Sequence, residues 1–128
     1  MKKKILIVVA SYYENIAKSL LKSAKNKIKN KCSIKVVNVP GAFEIPVTIS
    51  KNLNKFNGFI ALGCVIKGQT PHFEFISSAA TNAIMDLSIR FKKPVGNGIL
   101  TCLSMKQAKA RTRKGAEAAN AIISILSQ

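Results

Sequence analysis

Two short runs leave this chain little freedom in how it can fold. Lys4-Ile-Leu-Ile-Val-Val-Ala10 and Phe59-Ile-Ala-Leu-Gly-Cys-Val65 are apolar almost without interruption. A strand exposed on one side alternates apolar with polar residues, whereas a continuous run of this length reads as a strand covered on both faces. Central strands of a parallel sheet, with helices above and below, meet that requirement. Ile34–Val39 and Val95–Leu103 supply two further strand candidates.

The segments between them carry helical periods. Ile16, Ala17, Leu20, Leu21, Ala24 and Ile28 recur three or four residues apart, while Lys18, Lys22, Lys25, Lys27 and Lys29 lie mainly off that stripe. Pro40-Gly41 punctuates the chain before a second helix running to about Leu53, in which Pro46 is tolerable only within the first turn. Thr70-Pro71 has the form of an N-cap followed by proline at the first helical position. A long helix follows, with its apolar period at Phe75, Ile76, Ala79, Ala80, Ala83, Ile84, Leu87 and Phe91. Met105–Leu126 is helical in pattern but broken at Arg111–Gly115, which places the final helix at Ala116–Leu126. Strands alternating with helices predict one α/β domain over residues 1–128: a three-layer α/β/α sandwich, flavodoxin-like, around a four-stranded parallel sheet.

Charge is the other conspicuous property. Twenty-one Lys and Arg against five Asp and Glu give a net charge of +16 over 128 residues. Only Arg90, Arg111 and Arg113 are arginines, and no basic stretch is interleaved with aromatics as a nucleic-acid surface would be. A solvated, lysine-rich surface is the favoured reading, with a field that attracts small anions behind it, and no nucleic-acid partner is expected. Cys32, Cys64 and Cys102 are odd in number and widely spaced, which argues against disulfides and a cysteine-built zinc site and fits a cytoplasmic protein. No apolar run is long enough to span a bilayer, and the first residues lack a signal peptide's cleavage region.

In a parallel sheet the loops after the strands gather on one edge, where α/β proteins bind ligands. Four candidates meet there: Ser11–Tyr13, Pro40–Glu44, Gly63–His72 and Gly96–Thr101. Tyr12 and Phe43 offer flat aromatic faces. Glu44 either serves the N-terminus of its own helix or accepts hydrogen bonds from a ligand. Lys67-Gly68-Gln69-Thr70 opens a helix, where free N–H groups favour an anion. His72, the only histidine, is of the side-chain type that moves protons near neutral pH.

Taken together, the motifs match a family. Val39-Pro-Gly-Ala-Phe-Glu-Ile-Pro46, Ala61-Leu-Gly-Cys-Val-Ile-Lys-Gly-x-Thr-x-His-Phe-Glu-Phe75, Pro94-Val-x-x-Gly-Ile-Leu-Thr101 and Gln107-Ala-x-x-Arg111 with Lys114-Gly-x-Glu-Ala-Ala119 resemble the 6,7-dimethyl-8-ribityllumazine synthase family from Ile5 to Leu126. The resemblance implies a transferase of riboflavin biosynthesis that condenses 5-amino-6-(D-ribitylamino)uracil with 3,4-dihydroxy-2-butanone 4-phosphate, using no metal and no cofactor. It implies Tyr12 as a stacking aromatic, Ala42, Phe43 and Glu44 as the ribityl-holding segment, and Cys64, Val65 and Ile66 as backbone reading the pyrimidine edge. Gln69 and Thr70 correspond to the phosphate loop, Arg111 to the phosphate-binding arginine from a neighbouring subunit, Lys114 to a nearby lysine and His72 to the proton carrier.

Three positions depart from the pattern. Asn97 stands where a second stacking aromatic is common, Tyr13 stands where Asn is common, and only Thr112 and Arg113 connect Arg111 to Lys114. The resemblance further implies a homopentamer, favoured over an icosahedral shell of pentamers, with the alanine-rich final helix suited to a ring interface and a functional link to riboflavin synthase. The alternatives are a weakly catalytic flavin- or lumazine-binding relative, suggested by Asn97 and Tyr13, and a basic nucleic-acid binder, suggested by charge alone.

Overall fold

The computed structural model describes residues 2–128. The apolar runs form strands β1 (Lys3–Ala10) and β3 (Gly58–Ile66), flanked by β2 (Cys32–Val39) and β4 (Val95–Cys102). All pairings are parallel, in the order β2-β1-β3-β4. Burial on both faces is realised as the sequence demands: Ile5 to Val9 are each 1% exposed or less. Alternate β1 side chains serve two separate cores. Ile5, Ile7 and Val9 pack with helices α1 (Glu14–Ile28), α4 (Met105–Ala110) and α5 (Lys114–Leu126). Leu6, Val8 and Ala10 pack with a short helical turn (Ala42–Glu44), α2 (Ile45–Lys51) and α3 (His72–Phe91). The result is the three-layer α/β/α, flavodoxin-like sandwich.

Local chemistry sets the element ends as expected. Pro46 falls in the first turn of α2, where its missing N–H would have had no helical partner. The Thr70 hydroxyl accepts the His72 N–H at 3.4 Å, acting as a cap two residues ahead of the first residue of α3. At the far end of α3, Lys92 takes the left-handed conformation (φ 55°) that terminates many helices.

The last third differs from the sequence expectation. The break between α4 and α5 spans only Arg111–Arg113, and Lys114 and Gly115 already belong to α5. Gly115 is there for packing rather than for a turn: a Cβ on it would run into the Leu20 carbonyl of α1. Gly96 on β4 similarly allows the Ala118 carbonyl of α5 to approach. Ala118 and Ala119 are buried inside the protomer against β4 and α1. These two alanines serve this protomer's own core, while Ala121 and Ile125 of the same helix stay exposed. A larger exposed apolar face lies on α3, where Phe75, Met85 and Ile89 are 61–69% exposed.

One polar contact joins α1 to the α4–α5 turn. The Ser23 hydroxyl has the Leu20 and Thr112 carbonyls within reach, at 3.2 and 3.0 Å, and accepts the Ala116 N–H at 3.0 Å. Ser23 thus satisfies a free donor in the first turn of α5 from a neighbouring helix.

On the sheet's outer edge, β4 presents Asn97. The Pro94 and Cys102 carbonyls accept from Phe59 and Lys67, so the odd-numbered residues of β4 bond outward. The Asn97 Oδ1 accepts one of those outward donors, the Ile99 N–H, at 3.0 Å. Gly96–Thr101, expected to contribute to a loop at the ligand edge, is the body of this strand, because its residues pair with β3 without a break.

Replacing Gly115 with Ala should destabilise the protein by about 1–3 kcal/mol, the usual cost of forcing a group into a filled contact. Urea unfolding measures it; an unchanged midpoint would show that α1 and α5 can separate freely.

Candidate active site

The carboxyl ends of β1 and β3 point the same way, and the segments leaving them wall a cavity of about 650 Å³. That is the size range of small-molecule sites. Tyr12 and Tyr13 come from the β1–α1 connection, Gly41 to Glu44 from the connection after β2, and Cys64 to Ile66 from the end of β3. Gly68, Thr70, His72, Phe73 and Ile76 come from the β3–α3 loop and the start of α3. Nine predicted residues therefore meet in one place: Tyr12, Ala42, Phe43, Glu44, Cys64, Val65, Ile66, Thr70 and His72.

The aromatic wall is open. Tyr12 is 75% exposed, and its ring meets Tyr13 edge-on, with centroids 4.9 Å apart and planes at 81°. Burial pushes the Tyr13 phenol above its ordinary range, with the neighbouring Tyr12 and Cys64 adding to the effect. Phe43, 61% exposed, stands on the helical turn.

Glu44 combines both of its sequence readings. Its Oε1 accepts the Gly41 N–H at 2.9 Å, while its own N–H donates to the Gly41 carbonyl at 3.1 Å. This reciprocal pair closes the Gly41–Glu44 turn and fixes the carboxylate beside the cavity. No second donor from the described residues engages that carboxylate, so acceptor capacity remains for a ligand hydroxyl. The His72 backbone is held by Thr70, and its imidazole makes no hydrogen bond to the described protein.

At the floor, Cys64 is 8% exposed, with the Cys102 thiol as its neighbour. Burial first, and then the Cys102 thiol, push its pKa up to about 12. The group is a neutral thiol at any physiological pH, so it acts as an apolar floor rather than as a nucleophile.

Four predicted residues do not line this cavity. Gln69 is exposed in the β3–α3 loop, outside the lining. Asn97, Arg111 and Lys114 line a second cavity of about 780 Å³, at the β4 edge beside the α4–α5 turn. The two cavities share no residue. Asn97 pairs with Ala61, well short of the carboxyl end of β3, and its amide oxygen is occupied by Ile99. Sequence reasoning assigned no role to Tyr13, Phe73 or Ile76. Phe73 had a visible signal in the His-Phe-Glu-Phe string, but the helical period was started at Phe75, which proves to be 67% exposed.

No group of three or more His, Cys, Asp or Glu is arranged for a metal among the described residues, and no described helix is long and apolar enough to cross a membrane.

A parallel α/β sandwich with an aromatic-walled pocket over the carboxyl end of a central strand defines a small-molecule enzyme of flavodoxin-like architecture. A family model described as 6,7-dimethyl-8-ribityllumazine synthase matches residues 2–128, and the chain belongs to that family. It is 40% identical to the 6,7-dimethyl-8-ribityllumazine synthase of Bartonella tribocorum, over 98% of this chain and 91% of the relative. The synthase of Agrobacterium fabrum is 39% identical, over 95% and 91% respectively. That of Methylorubrum extorquens is 40% identical, over 96% and 79%.

The buried Cys64 thiol has a stability consequence with a definite sign. An unfolded thiol ionises near its ordinary value of 9.0, whereas the folded one resists up to about 12. The unfolded state therefore gains from ionisation as pH rises, and stability falls between those values. The stability gap between the parent and Cys64→Ala should narrow from pH 9 to 11 in urea titrations; a gap independent of pH would contradict the assignment.

Proposed function

We propose that this chain condenses 5-amino-6-(D-ribitylamino)uracil with 3,4-dihydroxy-2-butanone 4-phosphate to 6,7-dimethyl-8-ribityllumazine, the penultimate step of riboflavin biosynthesis. The observation that carries this reading is the convergence of nine family-matching residues, from four separate chain segments, on the pocket at the end of β3.

Each substrate group has a counterpart. The flat pyrimidine suits the exposed faces of Tyr12 and Phe43. Its polar edge suits the backbone of Cys64 to Ile66, and the ribityl hydroxyls suit the free acceptor capacity of Glu44. The pyrimidine amine attacks the ketone and water leaves, forming an imine. Loss of a proton from carbon then expels phosphate, the resulting enol tautomerises to a carbonyl, and the ribityl-bearing amine nitrogen closes on that carbonyl with loss of a second water. Proton movement falls to His72, which stands at the pocket with its imidazole unengaged. Binding two molecules in register supplies most of the remaining acceleration.

The phosphate lacks a cation in this pocket, since Arg111 and Lys114 line the other cavity. This division supports a site completed by a neighbouring subunit, whose β4 edge delivers Arg111 and Lys114. The exposed Phe75, Met85 and Ile89 of α3 supply an apolar surface for association. A closed ring, with a pentamer favoured, satisfies a head-to-tail contact of this kind. A cytoplasmic setting and a metabolic partnership with riboflavin synthase follow from the same reading.

Mixing the protein with both substrates should generate lumazine absorbance above the uncatalysed rate, and His72→Ala should slow it by about 10²–10⁴-fold. Absence of acceleration would remove the assignment; tight riboflavin binding with background turnover would instead indicate a flavin-binding relative. For the shared site, co-assembly of equal amounts of His72→Ala and Arg111→Ala chains should restore activity, because about a quarter of the sites pair both intact residues. Mixed assemblies no more active than either variant alone would place Arg111 and His72 in one protomer's site.

A further inference from the structure

The second cavity holds more positive charge than Arg111 and Lys114 explain. Lys27 from the last turn of α1 and Arg113 from the α4–α5 turn line it as well, against the single carboxylate of Glu117. Four cations less one anion leave a net +3 around about 780 Å³. The ion pair found among the described residues is Arg90–Asp86, so no carboxylate neutralises any of these four cations within salt-bridge distance. Neutral donors from Asn120 and Thr101 complete the lining. Cations gathered in such excess over counter-charge are an arrangement an anion stabilises.

The Ser23 contact is what brings them together. Ser23 binds the Thr112 carbonyl and the Ala116 N–H, which fixes Thr112 against α1 and leaves Arg111 and Arg113 exposed on either side of it. Lys27 lies four residues after Ser23, on the same face of α1 one turn on. The clamp that positions the short turn therefore also sets Lys27 beside it.

We propose that Lys27 and Arg113 act with Arg111 to draw in and position the phosphate group of the four-carbon substrate. This rests on the synthase reading above. A phosphate monoester carries about −1.5 to −2 charge, which a net +3 more than matches, so the cavity also retains the phosphate released by the reaction. Arg113 adds a guanidinium capable of paired hydrogen bonds, and Lys27 a point charge at the rim. With only two residues between Arg111 and Lys114, this chain holds its phosphate by clustered charge on a rigid turn.

The test uses the assembled full-length protein with Arg113→Gln, Arg113→Lys and Lys27→Gln. Initial rates against the phosphate substrate are taken at saturating pyrimidine, in low and high salt. Inorganic phosphate binding to each protein is measured by calorimetry. Arg113→Gln should raise KM for the phosphate substrate about 3–10-fold, with kcat and the pyrimidine KM unchanged and with a shallower salt dependence. Arg113→Lys should recover part of the loss, and Lys27→Gln should raise KM about 2–3-fold. Phosphate affinity should fall in the same order. An active parent whose variants keep the same KM, salt dependence and phosphate affinity would overturn this proposal and leave the synthase reading standing. An inactive parent whose phosphate affinity still falls in Arg113→Gln would overturn the synthase reading while retaining the anion site.

Discussion

Everything in this molecule depends on the burial of β1 and β3 on both faces. A strand with no solvent side must have helices above and below, and a parallel sheet with crossover connections is the economical way to provide them. Parallel strands also end on the same side. The connections after β1, β2 and β3 are thereby delivered to one edge, where Tyr12, Glu44, Cys64 and His72 meet although they are distant in sequence. The pocket is a by-product of core formation, and its chemistry comes from the residues placed at the strand ends.

The strands were legible in the sequence because burial on two faces leaves a pattern that little else produces. Helix ends with a local cause were legible too: Pro46 in a first turn, and Thr70 ahead of Pro71. What the sequence concealed was long-range. Gly115 resembles a turn residue, yet it sits inside α5 because the Leu20 carbonyl needs the space a side chain would fill. Of the alanines after it, Ala118 and Ala119 pack inward against the sheet and α1, a placement the alanine-rich string does not reveal. Of the two phenylalanines in His72-Phe-Glu-Phe75, only Phe73 lines the pocket; α3 is apolar on more than one side, so its period alone could not distinguish them.

The candidate site was legible as a set of residues but not as a geometry. Motif spacing identified Asn97, Arg111 and Lys114 together with Tyr12 and His72, whereas the fold puts them in two cavities. The division follows from strand order: β4 is an outer strand, and it lines the second cavity together with the turn that carries Arg111. The charge of +16 gains a location as well. Most lysines are solvated, but the unneutralised cluster beside the α4–α5 turn is held there by a serine 89 residues from the carbonyl it binds.

Asn97 does something for this chain that an aromatic at the same position could not. An outer strand with a row of open donors invites another strand to add to it, the route to sheet stacking and aggregation. By giving its amide oxygen to the Ile99 N–H, Asn97 occupies one outward rung in the middle of β4. Any strand adding along that side meets a gap in the ladder. The sheet is thus discouraged from growing at the edge that carries the cationic cavity, and that surface is left for contacts made through side chains.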